Sequence, residues 1–97
     1  MITHDEITKA VAKTAKSHPI KSVSYFGSYA DGHATDESDL DLLIEFNLPR
    51  VSLFVLSAIK IELEEILNIP VDVIRAPLPK DSLLELQKVV KVYGKAG

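Results

Sequence analysis

The sequence contains no cysteine. It has no disulfide framework and no thiolate to bind a metal, so any metal must be held by oxygen or imidazole. It also lacks an excess of basic charge: 11 Lys and Arg stand against 14 Asp and Glu, a formal net charge of -3. Proteins that coat nucleic acid carry a basic face that neutralises phosphates, so direct nucleic-acid binding is not expected. Long apolar runs are missing too, and the opening "MITHDEITKAV" has no basic region followed by an apolar core. Neither a membrane span nor a leader is expected, and the chain reads as a soluble cytoplasmic protein. No repeat, low-complexity tract or linker divides it, so residues 1–97 are expected to form one domain. What is present is ordinary globular composition, 46% hydrophobic and 26% charged, which argues against disorder.

The local patterns predict an α/β (α+β) fold in the order helix, strand, turn or short helix, strand, helix, strand, helix, with a small mixed sheet of about three strands. Thr3 and Glu6 have the spacing of a capping box, and Ile7, Ala10, Val11, Thr14 and Ala15 follow at helical spacing until His18-Pro19. "IKSVSYFG", Ile20 to Gly27, is rich in β-branched and aromatic residues and reads as a strand. A turn-rich connection follows, with a short helix able to open at Ser28. "DLDLLIEF" alternates, with Leu40, Leu42, Ile44 and Phe46 on one face and Asp39, Asp41, Leu43 and Glu45 on the other. Pro49 suits the first turn of a helix from about Arg50 to Leu67, closed by Asn68 and Pro70. "VDVIR", Val71 to Arg75, is a third strand. After "APLPK", Ser82 and Glu85 offer a second capping box, and Leu83, Leu86, Val90 and Tyr93 form a helical stripe ending at Gly94.

Residues two apart on a strand point the same way with Cα atoms about 6.5–7 Å apart, so Asp39 and Asp41 share a face. If the strand carrying Asp72 lies alongside, a third carboxylate joins them. Like charges about 5 Å apart repel by roughly 3 kcal/mol at an effective dielectric near 20, so the group calls for a cation or a proton. Oxygen-only ligands select hard divalent ions, and carboxylate-bridged metal pairs serve phosphoryl and nucleotidyl displacement, which makes magnesium the expected ion. A calcium loop is excluded, because Leu43 and Ile44 occupy positions where it needs a ligand and a glycine. Taken alone, an Asp-x-Asp strand is most often a solvated face, and a lone acid such as Asp72 most often blunts a sheet edge.

Gly27 and Ser28 stand where a strand ends and a helix can begin, a place where free N–H groups hold phosphate. By itself a Gly-Ser step is usually a turn, and no P-loop pattern is present. Gly-Ser followed after ten residues by Asp-x-Asp is more specific: such a pattern arises by accident in about one chain in a thousand of this length. Through "FGSYADG", "SDLDLLI" and "VDVI" the chain resembles the DNA polymerase β-like nucleotidyltransferase superfamily. More narrowly it resembles the minimal nucleotidyltransferases, the antitoxin partners of HEPN-domain toxins.

The resemblance implies that Gly27 and Ser28 bind the triphosphate of a nucleotide, with ATP the expected substrate. Asp39 and Asp41 would coordinate two magnesium ions, and Asp72 would be the third carboxylate, able to take the proton of the attacking hydroxyl. It implies transfer of AMP to a hydroxyl of a HEPN toxin, with pyrophosphate leaving. Two positions depart from the family pattern: Tyr29 and Asp31 stand where many members carry arginine. Tyr29 is expected to pack, and His33 to be a turn residue in solvent. The helix from Arg50 carries Leu53, Phe54, Val55, Leu56 and Ile59, more apolar surface than one sheet face covers, which suits a partner protein or an oligomer. The contrasting readings are a non-catalytic module that neutralises a partner by contact and a transferase acting on a small-molecule hydroxyl.

Overall fold

Seven elements make up the described part of the chain, which in this computed structural model is residues 2–76 and 88–94. Helix α1 spans His4–Ala15, and its start is set by the expected capping box. The Glu6 N–H donates to Thr3 Oγ1 at 3.2 Å, and the Thr3 N–H donates to Glu6 Oε1 at 3.3 Å. Two otherwise unpaired donors are thereby satisfied, and losing such a cap costs about 1 kcal/mol. Strand β1 (Ile20–Phe26) follows, then a single turn of helix α2 (Ser28–Asp31), then strand β2 (Leu40–Phe46).

Helix α3 spans Leu53–Leu67. It begins later than the Arg50 expected from Pro49, because Ser52 is a stronger start signal: its hydroxyl accepts from the Val55 N–H at 3.3 Å. Asn68, left-handed at φ 57°, ends the helix as expected, and Pro70 leads into strand β3 (Val71–Arg75).

The last described element departs from the expected helix. Val90–Tyr93 is strand β4, so the described sheet has four strands rather than about three. The residues 77–87, which include Leu83 and Leu86 of the anticipated stripe, lie outside the described part of the chain. Within "VVKVY" the β-branched residues and Tyr93 favour a pleated strand, and β1 supplies the edge on which they pair antiparallel.

Sheet order is β3-β2-β1-β4. β1 and β2 are antiparallel, whereas β2 and β3 are parallel and joined through α3. Helices α1 and α3 bury Ile7, Val11, Ile59 and Leu63 against the sheet face made by Val23, Leu40, Leu42, Ile44 and Val71. β2 alternates perfectly, with Leu40, Leu42, Ile44 and Phe46 buried and Asp41, Leu43 and Glu45 only half-buried on the opposite face. This topology fixes where any site must lie. An antiparallel pair brings the end of β1 to the start of β2, and a parallel pair brings the start of β3 to the same place.

Candidate active site

Five residues singled out from the sequence meet at that end of the sheet. Phe26 is the register partner of Asp41, so Gly27 follows β1 directly beside the Asp41 carboxylate. Gly27 has φ 73° and ψ -148°, a region essentially closed to residues with a side chain. A Cβ at this position would collide with Asp41 Oδ2. Glycine is thus required here both by backbone conformation and by the neighbouring acid. Ser28 opens α2, and among the described residues its hydroxyl takes part in no hydrogen bond, leaving a free donor beside Gly27. With only four residues, α2 has little dipole to offer.

Strand register brings two of the three acids together and leaves the third at the same end of the sheet. Asp41 and Asp72 are direct Cα partners across the parallel β2–β3 pair, while Asp39 is exposed one residue before β2. Burial pushes the Asp41 carboxyl above its ordinary range, and the negative charges of Asp72 and then Asp39 push it further. The chemistry of this donor set fits a hard divalent cation: only oxygens, all negative, and among the described residues no Lys, Arg or His forms an ion pair with any of the three. As placed, no three acidic or histidine side chains close around a single point among the described residues. Asp39, outside the strand and exposed, is the member free to rotate toward the other two.

An open groove of about 430 Å³ runs from Asp41 and Asp72 along the first half of α3, past Lys60 and Ser57 to Leu56 and Leu53. A larger hollow of about 560 Å³ lies at the other end of the sheet, around Ile20, Glu45, Lys91 and Tyr93. It contains none of the five residues, and the one carboxylate among its described residues, Glu45, is paired with Lys21 at 3.8 Å.

The remaining sequence candidates fall outside this centre. Tyr29 is half-buried and packs against the core, and burial with a nearby Asp36 raises the phenol above its ordinary value, so it is not an activated nucleophile. His33 is exposed, its backbone N–H bonded to Ser28 O at 2.9 Å. Asp31 is exposed at the end of α2. Sequence reasoning missed Lys60 and Glu64, which grip the backbone of Val71 immediately before Asp72. Their separation of four residues was visible, but that spacing reads as a surface helix pair.

Comparison with known proteins identifies the family. The family model for "Nucleotidyltransferase domain" matches residues 5–95. The protein of Methanocaldococcus jannaschii named "Putative protein adenylyltransferase MJ0435" is 39% identical over 84 residues, covering 82% of this chain and 89% of that one. A toxin–antitoxin crystal structure with AMP-PNP superposes with a TM-score of 0.76 at 16% identity, covering 91% of this chain and 73% of that one. A structure of a tri-AMPylated Shewanella oneidensis HEPN toxin in complex with its MNT antitoxin gives 0.71 at 14% identity, covering 96% and 74%. At such identities those two structures establish a shared fold. The family match, spanning nearly the whole chain, makes this protein a member of the nucleotidyltransferase domain family, of the minimal nucleotidyltransferase kind.

Proposed function

We propose that the chain, as one domain over residues 1–97, transfers AMP from ATP to a hydroxyl of a partner protein. We further propose that the partner is a HEPN-type toxin, which the transfer neutralises in the cytoplasm. The observation that carries this reading is the parallel register that sets Asp72 against Asp41, with Asp39 one residue before the strand and Gly27 over the Asp41 carboxylate. The adenylyltransferase name of the methanococcal relative supports the reaction, and the AMPylated toxin in a structure of like fold supports the acceptor.

In this mechanism the bare backbone at Gly27 lets the triphosphate approach, and the Ser28 hydroxyl donates to a phosphate oxygen. Asp39, Asp41 and Asp72 would hold magnesium, which when bound neutralises charge on the phosphates and lowers the cost of charge developing in the transition state. Asp72 orients the acceptor hydroxyl and takes its proton. The acceptor oxygen bonds to the α-phosphorus, the bond from that phosphorus to the bridging oxygen breaks, and pyrophosphate leaves. The acids repel one another in the unliganded protein, so the cation relieves a strain the fold imposes. Tyr29 and Asp31 provide no positive charge for the triphosphate, so the partner is the expected source of one.

One observation favours a second reading. Leu53 and Phe54, at the start of α3, are 78% and 88% exposed, a surface fit for neutralising a partner by contact alone. Incubation with the partner, magnesium and ATP labelled at the α-phosphate separates the two. Label on the partner, lost in the Asp39→Asn/Asp41→Asn double variant, supports transfer. Full neutralisation by that double variant without label supports contact.

A further inference from the structure

Val71 is the first residue of β3, a strand of five residues that among the described residues is at the sheet edge, with its ladder on one side only. Leu40 N–H donates to Pro70 O at 3.0 Å, so in the parallel pairing Val71 turns its own N–H and C=O away from β2, toward α3. Both are met there by side chains one helical turn apart. Glu64 Oε2 accepts from the Val71 N–H at 3.0 Å, Lys60 Nζ donates to Val71 O at 2.7 Å, and Lys60 Nζ lies 3.4 Å from Glu64 Oε2. The bond from Val71 holds the Glu64 carboxyl below its ordinary range; burial opposes this and Lys60 adds to it.

The consequence falls on the next residue. A one-residue slip of β3 would exchange faces, sending the Asp72 carboxylate toward the core and the buried Val71 side chain outward. Lys60 also lines the groove that contains Asp41 and Asp72, yet among the described residues it forms an ion pair with neither acid. Its ammonium is committed to a carbonyl and to Glu64, so it fixes the strand while leaving the acids uncompensated. We propose that Lys60 and Glu64 are positioning residues that hold Asp72 at the height of Asp41 for nucleotidyl transfer. This rests on the reading of Asp72 as the third carboxylate.

The test uses the full chain and its Glu64→Ala, Glu64→Gln and Lys60→Met variants, followed by amide NMR and by transfer kinetics. In metal-free protein, Glu64→Ala should speed hydrogen exchange at the Val71 amide by tenfold or more, order of magnitude, because its acceptor is gone. The magnesium concentration that half-shifts the Asp41 and Asp72 amides should rise about tenfold in Glu64→Ala and Lys60→Met, the usual effect of losing a group that orients a ligand. The kcat should fall by a similar factor with KM for ATP little changed, since Gly27 and Ser28 are untouched. Glu64→Gln keeps an oxygen for the Val71 N–H and should recover most of the loss. Folded Glu64→Ala and Lys60→Met proteins with the parent's magnesium midpoint and kcat would overturn the positioning role. No magnesium shift at Asp41 and Asp72 in the parent would instead overturn the reading of the acids, and the positioning role with it.

Discussion

Gly27 lies so close to Asp41 that the first atom of any side chain at Gly27 would overlap the Asp41 carboxylate. The end of β1 is therefore shaped around an acid contributed by β2, and the two motifs "FGS" and "DLD" are parts of one structure. Replacing Gly27 by alanine should be costly twice over. The backbone there, at φ 73° and ψ -148°, is strained for any other residue by about 1–3 kcal/mol, and the collision displaces Asp41. Urea unfolding of Gly27→Ala should show a loss of at least that order, together with loss of AMP transfer.

The raised Asp41 carboxyl makes stability depend on pH with a definite sign. Burial, Asp72 and Asp39 disfavour its ionised form in the folded protein. The penalty is present at neutral pH and disappears as the pH falls through the raised folded value to the ordinary aspartate range. In magnesium-free buffer Asp41→Asn should therefore be more stable than the parent near pH 7, and the difference should shrink on mild acidification. Thermal melts across pH check this. Added magnesium should raise the melting temperature of the parent more than that of the variant, because ligand binding to the folded state stabilises it.

Phe54 is 88% exposed and contributes little to the core. Phe54→Ser should leave stability within about 0.5 kcal/mol of the parent, as is usual for surface positions. If the start of α3 docks the partner, the same substitution should weaken the complex while leaving nucleotide binding at Gly27 and Ser28 intact. Calorimetric titration with each ligand separates these effects.

Gly94 tests the strand that replaced the expected helix end. It has φ 105°, and a Cβ there would approach Lys21 O to 2.6 Å and Ser22 Cβ to 2.8 Å. Gly94→Ala should pull the end of β4 from β1, read as faster amide exchange in Val90–Tyr93 with little change in α1. A terminal helix capped by Gly94 would instead fray at its own end and leave the amides of Lys21 and Ser22 in β1 undisturbed.

Much of this arrangement was legible in the residues, and the parts that were not have physical reasons. The Thr3–Glu6 capping box and the alternation from Leu40 to Phe46 are local signals, and local structure obeys them. The Asp41–Asp72 pairing was readable only as a condition, because register between strands separated by a whole helix is set by packing rather than by neighbours. β4 is not legible locally because Val90 and Tyr93 also fit a helical stripe, and the deciding factor, the edge of β1, lies some seventy residues away in sequence. The Lys60–Glu64 grip on Val71 is a tertiary contact between side chains and backbone that no spacing rule reveals.

In the proposed reaction Asp39, Asp41 and Asp72 act together on a metal-bound nucleotide. A crystal structure of this chain with magnesium and a non-hydrolysable ATP analogue tests it most directly. Cation density is expected against these carboxylates, with Asp39 turned toward the other two and the triphosphate lying over Gly27 with Ser28 bonded to it. Nucleotide bound elsewhere, or cations touching none of the three acids, would contradict it.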